Sequence, residues 1–407
     1  EQGFSFTDEQ KESIYQSVNN NVIVIAGKAG TGKSTILKGI MRVLSGYSYE
    51  TCAFSGKASQ RIVESTGLSS KTIHRLLEFN PSGGFIYGTG NELPLDIIVL
   101  DEASMVNTQL FYSLITAIKK GGKIIILGDT EQLPPIGAGN VFKDMIDSGK
   151  IPVVELTQVH RQALKSGILL AANKVREGKQ ITNNEEYESK VVGELKDLYI
   201  VPKESDQEIL NYITDLCIKS KDKIDIADFQ VITPMKTRGV LATKNLNVVL
   251  QGIFNPDDKP SLKRNGYDFK VGDKVIKSGN DYSAGEFGVF NGTMGIIQKI
   301  DIEEKEAGIK FLGLDDLVYY NQDELDHVDM AYALTVHRTQ GSQFKHVVLC
   351  LDYSSYVLLS RQLVYTAITR SSDKCVLVCE NKALRHAISK NDSSKRNTYL
   401  KEFLLNK

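Results

Sequence analysis

The sequence contains the stretch Gly27-Lys28-Ala29-Gly30-Thr31-Gly32-Lys33-Ser34, which fits the pattern GxxxxGK[ST]. It follows the apolar run VIVIA and opens a segment in which Ile36, Leu37, Ile40, Met41 and Leu44 recur on one helical face. Between a strand and a helix, such glycines let backbone N–H groups wrap a phosphate, and the helix N-terminus adds partial positive charge. Lys33 is then placed to reach the β- and γ-phosphates of a nucleotide, and Ser34 to hold Mg²⁺. Gly27, Gly30, Thr31, Gly32 and Thr35 complete the expected phosphate-binding set. A purely structural glycine-rich turn leaves the Lys-Ser pair unexplained.

A second segment, IIVLDEAS, ends an apolar run on two adjacent carboxylates. Placing both against a buried strand is costly unless a metal or a solvated cleft receives them. Asp101 is expected in the Mg²⁺ shell, and Glu102 as the base that activates water against the γ-phosphate of ATP. A binding switch needs the Asp but not the Glu, so the pair points to hydrolysis. A third apolar run, KIIILGDTEQLPPIG, delivers Asp129 and then Gln132, a candidate sensor of the γ-phosphate. Pro134-Pro135 reads as a rigid turn.

Carboxyl ends of neighbouring parallel strands bring such groups to one edge. Short β-branched runs at 22, 96, 123, 229, 347 and 375 are apolar on both faces and alternate with helical patterns. The fold class expected is α/β: two lobes with parallel sheets. The alternation breaks between Gly266 and Val328, where short alternating strands and Asn-Gly or Gly turns predict a small antiparallel barrel. A shorter insert, FNPSGGFIYGTGNELP, reads as a hairpin or loop.

The 407 residues suffice for two or three cores, with 41% hydrophobic and 24% charged residues, as in soluble globular proteins. A net charge of -1 excludes a basic tail but not a local phosphate-binding groove. Five cysteines show no metal-ligand pairing; Cys375 and Cys379 lie four residues apart on one strand, roughly 13 Å. Reduced, buried thiols in a cytoplasmic protein are expected. No apolar run approaches a bilayer span, and no signal-peptide pattern opens the chain. A start at Glu1 rather than Met suggests a trimmed chain.

From FTDEQ to YTAITRSSDKCVLV the chain resembles superfamily 1 helicases, most closely the RecD-like, 5′-to-3′ branch, with motifs in the family's order. The resemblance implies two RecA-like P-loop lobes, the second carrying an SH3-like barrel. The first lobe is expected over 1–165, with a short hairpin insert at 79–95 in the place of the branch's strand-splitting hairpin; this insert, or else the barrel, is the expected wedge. The second covers 166–265 and 329–407, with the barrel at 266–328. It further implies that Gln10 reads adenine. Arg161 in LTQVHRQ and Arg370 in YTAITR reach the γ-phosphate, where guanidinium groups stabilise transition-state charge. ALTVHRTQGSQF supplies Gln340, Gly341 and Gln343 to the nucleotide; the family commonly has Glu where this chain has Gln343.

Strand contacts are expected from Ser55, Gly56, Lys57, Thr72 and His74 in the first lobe, and from Thr233, Pro234, Thr335 and His337 in the second. Short hydroxyl, amide and imidazole groups suit phosphate contacts that are repeatedly made and broken. Gly83-Gly84 is a plausible turn of the hairpin, with Phe85 and Tyr87 as aromatic tips. The expected function is a monomeric, ATP-dependent motor on single-stranded DNA and single/double-strand junctions. An RNA helicase, and an ATP-switched clamp or loader without unwinding, are the alternatives.

Overall fold

Apolar runs that alternate with amphipathic segments bury both faces of a sheet, and this happens twice along the chain. The computed structural model describes residues 6–80, 82–158, 163–183, 188–281, 283–284, 288–392, 396 and 398–406. They form two compact units, Glu1–Leu164 with Ser393–Lys407, and Lys165–Asp392.

In the first unit six parallel strands lie in the order Ser70–Thr72, Tyr49–Ala53, Ile97–Asp101, Lys123–Gly128, Val22–Gly27, Val153–Leu156. Side chains alternate between the two faces. Val24, Leu100 and Ile126 pack with Leu110, Leu114 and Phe142 on one side. Ile23, Ile25, Val99 and Ile125 pack with Ile36, Leu37 and Ile40 on the other. Register places Ala53 opposite Asp101 and Ala26 opposite Gly128, so the segments that leave these strands emerge along one edge.

The second unit repeats the design in the order Ala333–Thr335, Phe229–Thr233, Phe344–Leu351, Ser371–Glu380, Leu198–Lys203, Lys190–Val192, parallel except for the last strand. The expected barrel region is a five-stranded antiparallel sheet running Val318–Asn321, Glu306–Phe311, Met294–Asp301, Lys274–Lys277, Val328–Met330. A hairpin, Ser261–Arg264 with Tyr267–Lys270, precedes it. Its two-residue turn, Asn265-Gly266, has φ of 54° and 79°, the conformation that Asn-Gly favours. Val275, Ile297, Ile309 and Phe311 of the barrel share a core with Ile209, Phe229 and Val231 of the α/β layer. At their junction the fully buried Asp273 accepts hydrogen bonds from Asn255, Gln251, Tyr332 and the Lys270 amide. Burial still holds its carboxyl above the usual range.

Two expectations are corrected. The tail, expected in the second lobe, returns to the first unit: helix Leu400–Leu405 packs on helix Val141–Ser148, and Leu400 and Leu404 join the first core. Arg396 donates to the carbonyls of Gly137 (2.9 Å) and Gly139 (3.0 Å). The insert does form a hairpin, Phe79–Asn80 against Gly84–Phe85, but Phe85 and Tyr87 are not its tips. Both pack against the first core, because an apolar ring gains more from burial than from exposure on a short loop.

All five cysteines are free and buried, and burial pushes the thiols of Cys217, Cys350, Cys375 and Cys379 up to about 12, leaving them protonated and inert. Among the described residues no helix is long and apolar enough to cross a membrane.

Candidate nucleotide site

Strand Val22–Gly27 hands directly to the glycine-rich loop, which opens helix Lys33–Val43. Gly27 has no room for a side chain: a Cβ there would meet Leu156 Cδ1 and Thr31 Oγ1 at 2.9 Å. Gly30 and Gly32 sit at φ of 80° and 85°, where a Cβ is strained. Gly32 is the helix N-cap and supplies no capping side chain, so the cap leaves the first-turn amides to another acceptor. That is the cradle a phosphate needs. The Lys33 ammonium donates to the carbonyls of Gly27 (2.6 Å) and Lys28 (3.2 Å), folded over the loop. Ser34 and Thr35 are half-buried in the first helical turn.

Gln10 is buried and does two things. Its Oε1 accepts from the Thr7 amide (3.0 Å), closing a capping box on helix Asp8–Asn19. Its Nε2 donates to the Thr31 carbonyl at 3.3 Å, tying that helix to the phosphate loop.

Asp101 ends its strand and accepts a hydrogen bond from the Glu102 amide at 2.7 Å. Its carboxyl is pushed up to about 6, by burial first and the neighbouring Glu102 charge second, against the opposing Lys33 and Arg61 cations. A divalent cation reverses such a shift. Glu102 takes a left-handed backbone, φ 51°, between the strand and a short 3₁₀ turn. For a non-glycine residue that conformation costs about 1 kcal/mol or more and is typical of functional positions. Glu102 is buried, and Arg61 from helix Gly56–Thr66 approaches its Oε1 at 3.5 Å. Nothing in the sequence patterns flagged Arg61; the usable signal was its place one helical turn beyond Lys57.

Strand Lys123–Gly128, between those of Gly27 and Asp101, leads to Asp129 and Gln132, both buried. Asp129 accepts from the Glu131 amide at 3.0 Å. Gln132 Oε1 is buried without a hydrogen bond among the described residues, a costly state that a ligand or water would relieve.

In the second unit Arg370 is buried and donates to the carbonyls of Thr366 and Ser342, each at 3.0 Å. The second bond joins it to the segment carrying Gln340, Gly341 and Gln343, of which the first two are buried. Arg161 lies outside the described residues.

The expected strand contacts divide. Thr72 is buried and its hydroxyl caps helix Ile73–Leu76; Thr233 is buried and its hydroxyl donates to the Leu241 carbonyl at 2.8 Å; Pro234 is buried. The hydroxyls of Thr72 and Thr233 are engaged inside the fold and Pro234 is buried there, so these three are withdrawn as strand contacts. His74 lies against Phe79 and Phe85, with ring centroids 5.8 and 5.6 Å away, and burial lowers its proton affinity. It packs at the base of the hairpin. Ser55 caps helix Gly56–Thr66 through the Ala58 amide, yet it, Gly56, Lys57 and Thr335 are partly accessible, and His337 is exposed.

Three family models match the chain. Residues 5–193 match a family model described as an AAA domain, and 330–378 one described as a UvrD-like helicase C-terminal domain. Residues 246–311 match the SH3 domain of ATP-dependent RecD-like DNA helicases. Over 370 residues the chain is 34% identical to the ATP-dependent RecD2 DNA helicase of Deinococcus radiodurans, covering 90% of this chain and 48% of that protein. Along most of its length the chain is similar to RecD-like helicases. It is also 25% identical over 419 residues to the RecBCD enzyme subunit RecD of Mycolicibacterium smegmatis, covering 94% of this chain and 73% of that subunit. The chain spans about half or less of the length of its first relatives, 48% and 40%. In fold, this RecD-like chain is similar to Bacteroides Pif1 bound to ssDNA, with TM-score 0.53, 16% identity and 92% of each chain covered.

Proposed function

We propose that this chain is the ATP-hydrolysing motor of a DNA helicase, which moves 5′-to-3′ along single-stranded DNA and separates duplex. One observation carries the reading: neighbouring parallel strands of a single sheet deliver the phosphate loop, the Asp101-Glu102 pair and Gln132 to one edge. The RecD2 relative, a DNA helicase by name, supports the choice of DNA, and the order of motifs shared with the 5′-to-3′ branch supports the direction.

The glycine-rich loop and first-turn amides bind the phosphates, and Lys33 swings from its loop carbonyls to the β- and γ-oxygens. Glu102 accepts the proton of the attacking water, which becomes bonded to the γ-phosphorus as the bond to ADP breaks. Ser34 and Asp101 are the residues that would hold Mg²⁺, which when bound neutralises charge on the phosphate oxygens. A hydroxyl and a carboxylate suit that hard cation, which takes its remaining ligands from water and phosphate. Arg161 and Arg370 stabilise transition-state charge, Gln132 senses the γ-phosphate, and Gln10, Gln340, Gly341 and Gln343 contact the nucleotide. Ser55, Gly56, Lys57, Thr335 and His337 hold the strand. The 79–95 hairpin splits the duplex, acting through its Ser82-Gly83 end on the rigid ring cluster of Phe79, Phe85 and His74.

The test is ATP-dependent unwinding of matched duplexes with either a 5′ or a 3′ single-stranded tail, alongside ATPase stimulation by single strands. Preference for the 5′ tail is expected. Preference for the 3′ tail overturns the direction, and strand-independent hydrolysis overturns the motor.

A further inference from the structure

Two segments leave the first sheet side by side. Strand Tyr49–Ala53 pairs with Ile97–Asp101, with Ala53 opposite Asp101. The first runs on to Ser55, Gly56 and Lys57, the accessible strand-contact residues; the second runs on to Glu102. A side chain joins them again. Arg61 lies on helix Gly56–Thr66, four residues after Lys57 and so on the same face, about 6 Å further along the axis. Its guanidinium reaches back to Glu102 Oε1 at 3.5 Å.

We propose that Arg61 is a positioning residue that couples occupancy of the strand-contact surface to the Glu102 carboxylate. The inference rests on Glu102 being the general base. Three features fit a coupling role better than a merely structural one. The Glu102 side chain is 11% exposed, so a buried carboxylate is being held by a cation rather than by solvent. The Arg61 side chain is 42% exposed, so the pair is screened and weak enough to exchange. And 3.5 Å is the outer limit of a hydrogen bond, so a shift of a few tenths of an ångström in the helix makes or breaks it.

A phosphate bound at the Ser55–Lys57 end of this helix pulls on the rigid element that carries Arg61. With no strand bound, Arg61 occupies a Glu102 oxygen and competes with water for its lone pair. With a strand bound, the helix shifts, Arg61 lets go and the carboxylate turns to water. The coupling needs no contact between the two units.

The experiment compares ATP hydrolysis with and without oligothymidylate in the wild type, Arg61→Ala and Arg61→Lys. The Ala variant is expected to hydrolyse faster without DNA, and its stimulation ratio to fall on the order of fivefold or more. KM for ATP and affinity for oligothymidylate stay near wild type, and the Lys variant, which keeps the charge but not the fork, falls between. An unchanged ratio overturns the proposal. So does an equal fall of both rates together with a lower melting temperature, the mark of a structural residue. A wild type that ignores oligothymidylate overturns the motor reading itself, whereas normal wild-type stimulation with an unchanged Arg61→Ala ratio overturns this inference alone.

Discussion

The two units use the same kind of six-stranded sheet and treat its carboxyl edge in opposite ways. In the first, the edge is open backbone: Gly27, Gly30 and Gly32 clear space for a phosphate, and Glu102 is held in a left-handed conformation beside Asp101. In the second, side chains fill it. Thr233 and Pro234 are buried at a strand's carboxyl end, the Thr233 hydroxyl bonded to the Leu241 carbonyl; Arg370 lies at the opposite, amino edge, just before strand Ser371–Glu380, bonded to the carbonyls of Ser342 and Thr366. The lesson is that a doubly wound sheet offers an edge, and loop glycines open the part of it that takes a phosphate.

The largest expected effect falls on the open edge. Glu102→Gln should lower ATP turnover by about two decades or more, the scale of losing a general base, while nucleotide binding survives. Steady-state hydrolysis with nucleotide titration checks this, and near-normal turnover removes Glu102 from the role. Lys33→Ala should instead weaken nucleotide binding itself.

At the amino edge of the second sheet, replacing Arg370 should cost stability in addition to the hydrolysis lost with its proposed role. Arg370→Ala removes the guanidinium from the buried Ser342 carbonyl, while the Thr366 carbonyl keeps the Thr369 hydroxyl, at a cost of about 1–3 kcal/mol to the second unit. Arg370→Lys should recover little, since an ammonium cannot reproduce the fork. Calorimetry in which the second unit melts as in wild type would show that the arginine is not part of that core.

The tail sharpens the division between units. Leu404→Ala removes a half-buried side chain from the first core, and should cost the first unit about 1–2 kcal/mol despite lying near the end of the chain. Destabilisation of the second unit instead would return the tail to it.

The smallest effect concerns His74, whose proton affinity is lowered by burial. Its folded pKa lies below the unfolded value of about 6.5, so its contribution is complete above that pH and is lost as pH falls toward the folded value. Denaturant midpoints of wild type and His74→Phe should therefore differ by a constant above pH 6.5 and diverge below it, to the disadvantage of wild type. Parallel curves down to pH 5 would mean that the imidazole titrates normally within its ring cluster.

Local chemistry was readable in the chain itself. GxxxxGKS between a β-branched run and an amphipathic one, and Asp-Glu at the end of another, carry their meaning in residue type and short spacing. So do the sheets, because a strand buried on both faces must be apolar throughout, and so does the Asn265-Gly266 turn. The tertiary structure decided what depends on partners distant in sequence. Thr72 and Thr233 look like strand contacts until their hydroxyls are found capping a helix and bonding Leu241. Phe85 and Tyr87 look like tips until the first core takes them. Arg61 is an ordinary helical arginine until it meets Glu102, 41 residues away, and the tail belongs to the first unit only because helix Leu400–Leu405 finds helix Val141–Ser148. Hydroxyls, rings and guanidinium groups serve equally at a surface and in a core. Burial and the nearest unsatisfied donor or acceptor settle the choice, and only the folded chain fixes both.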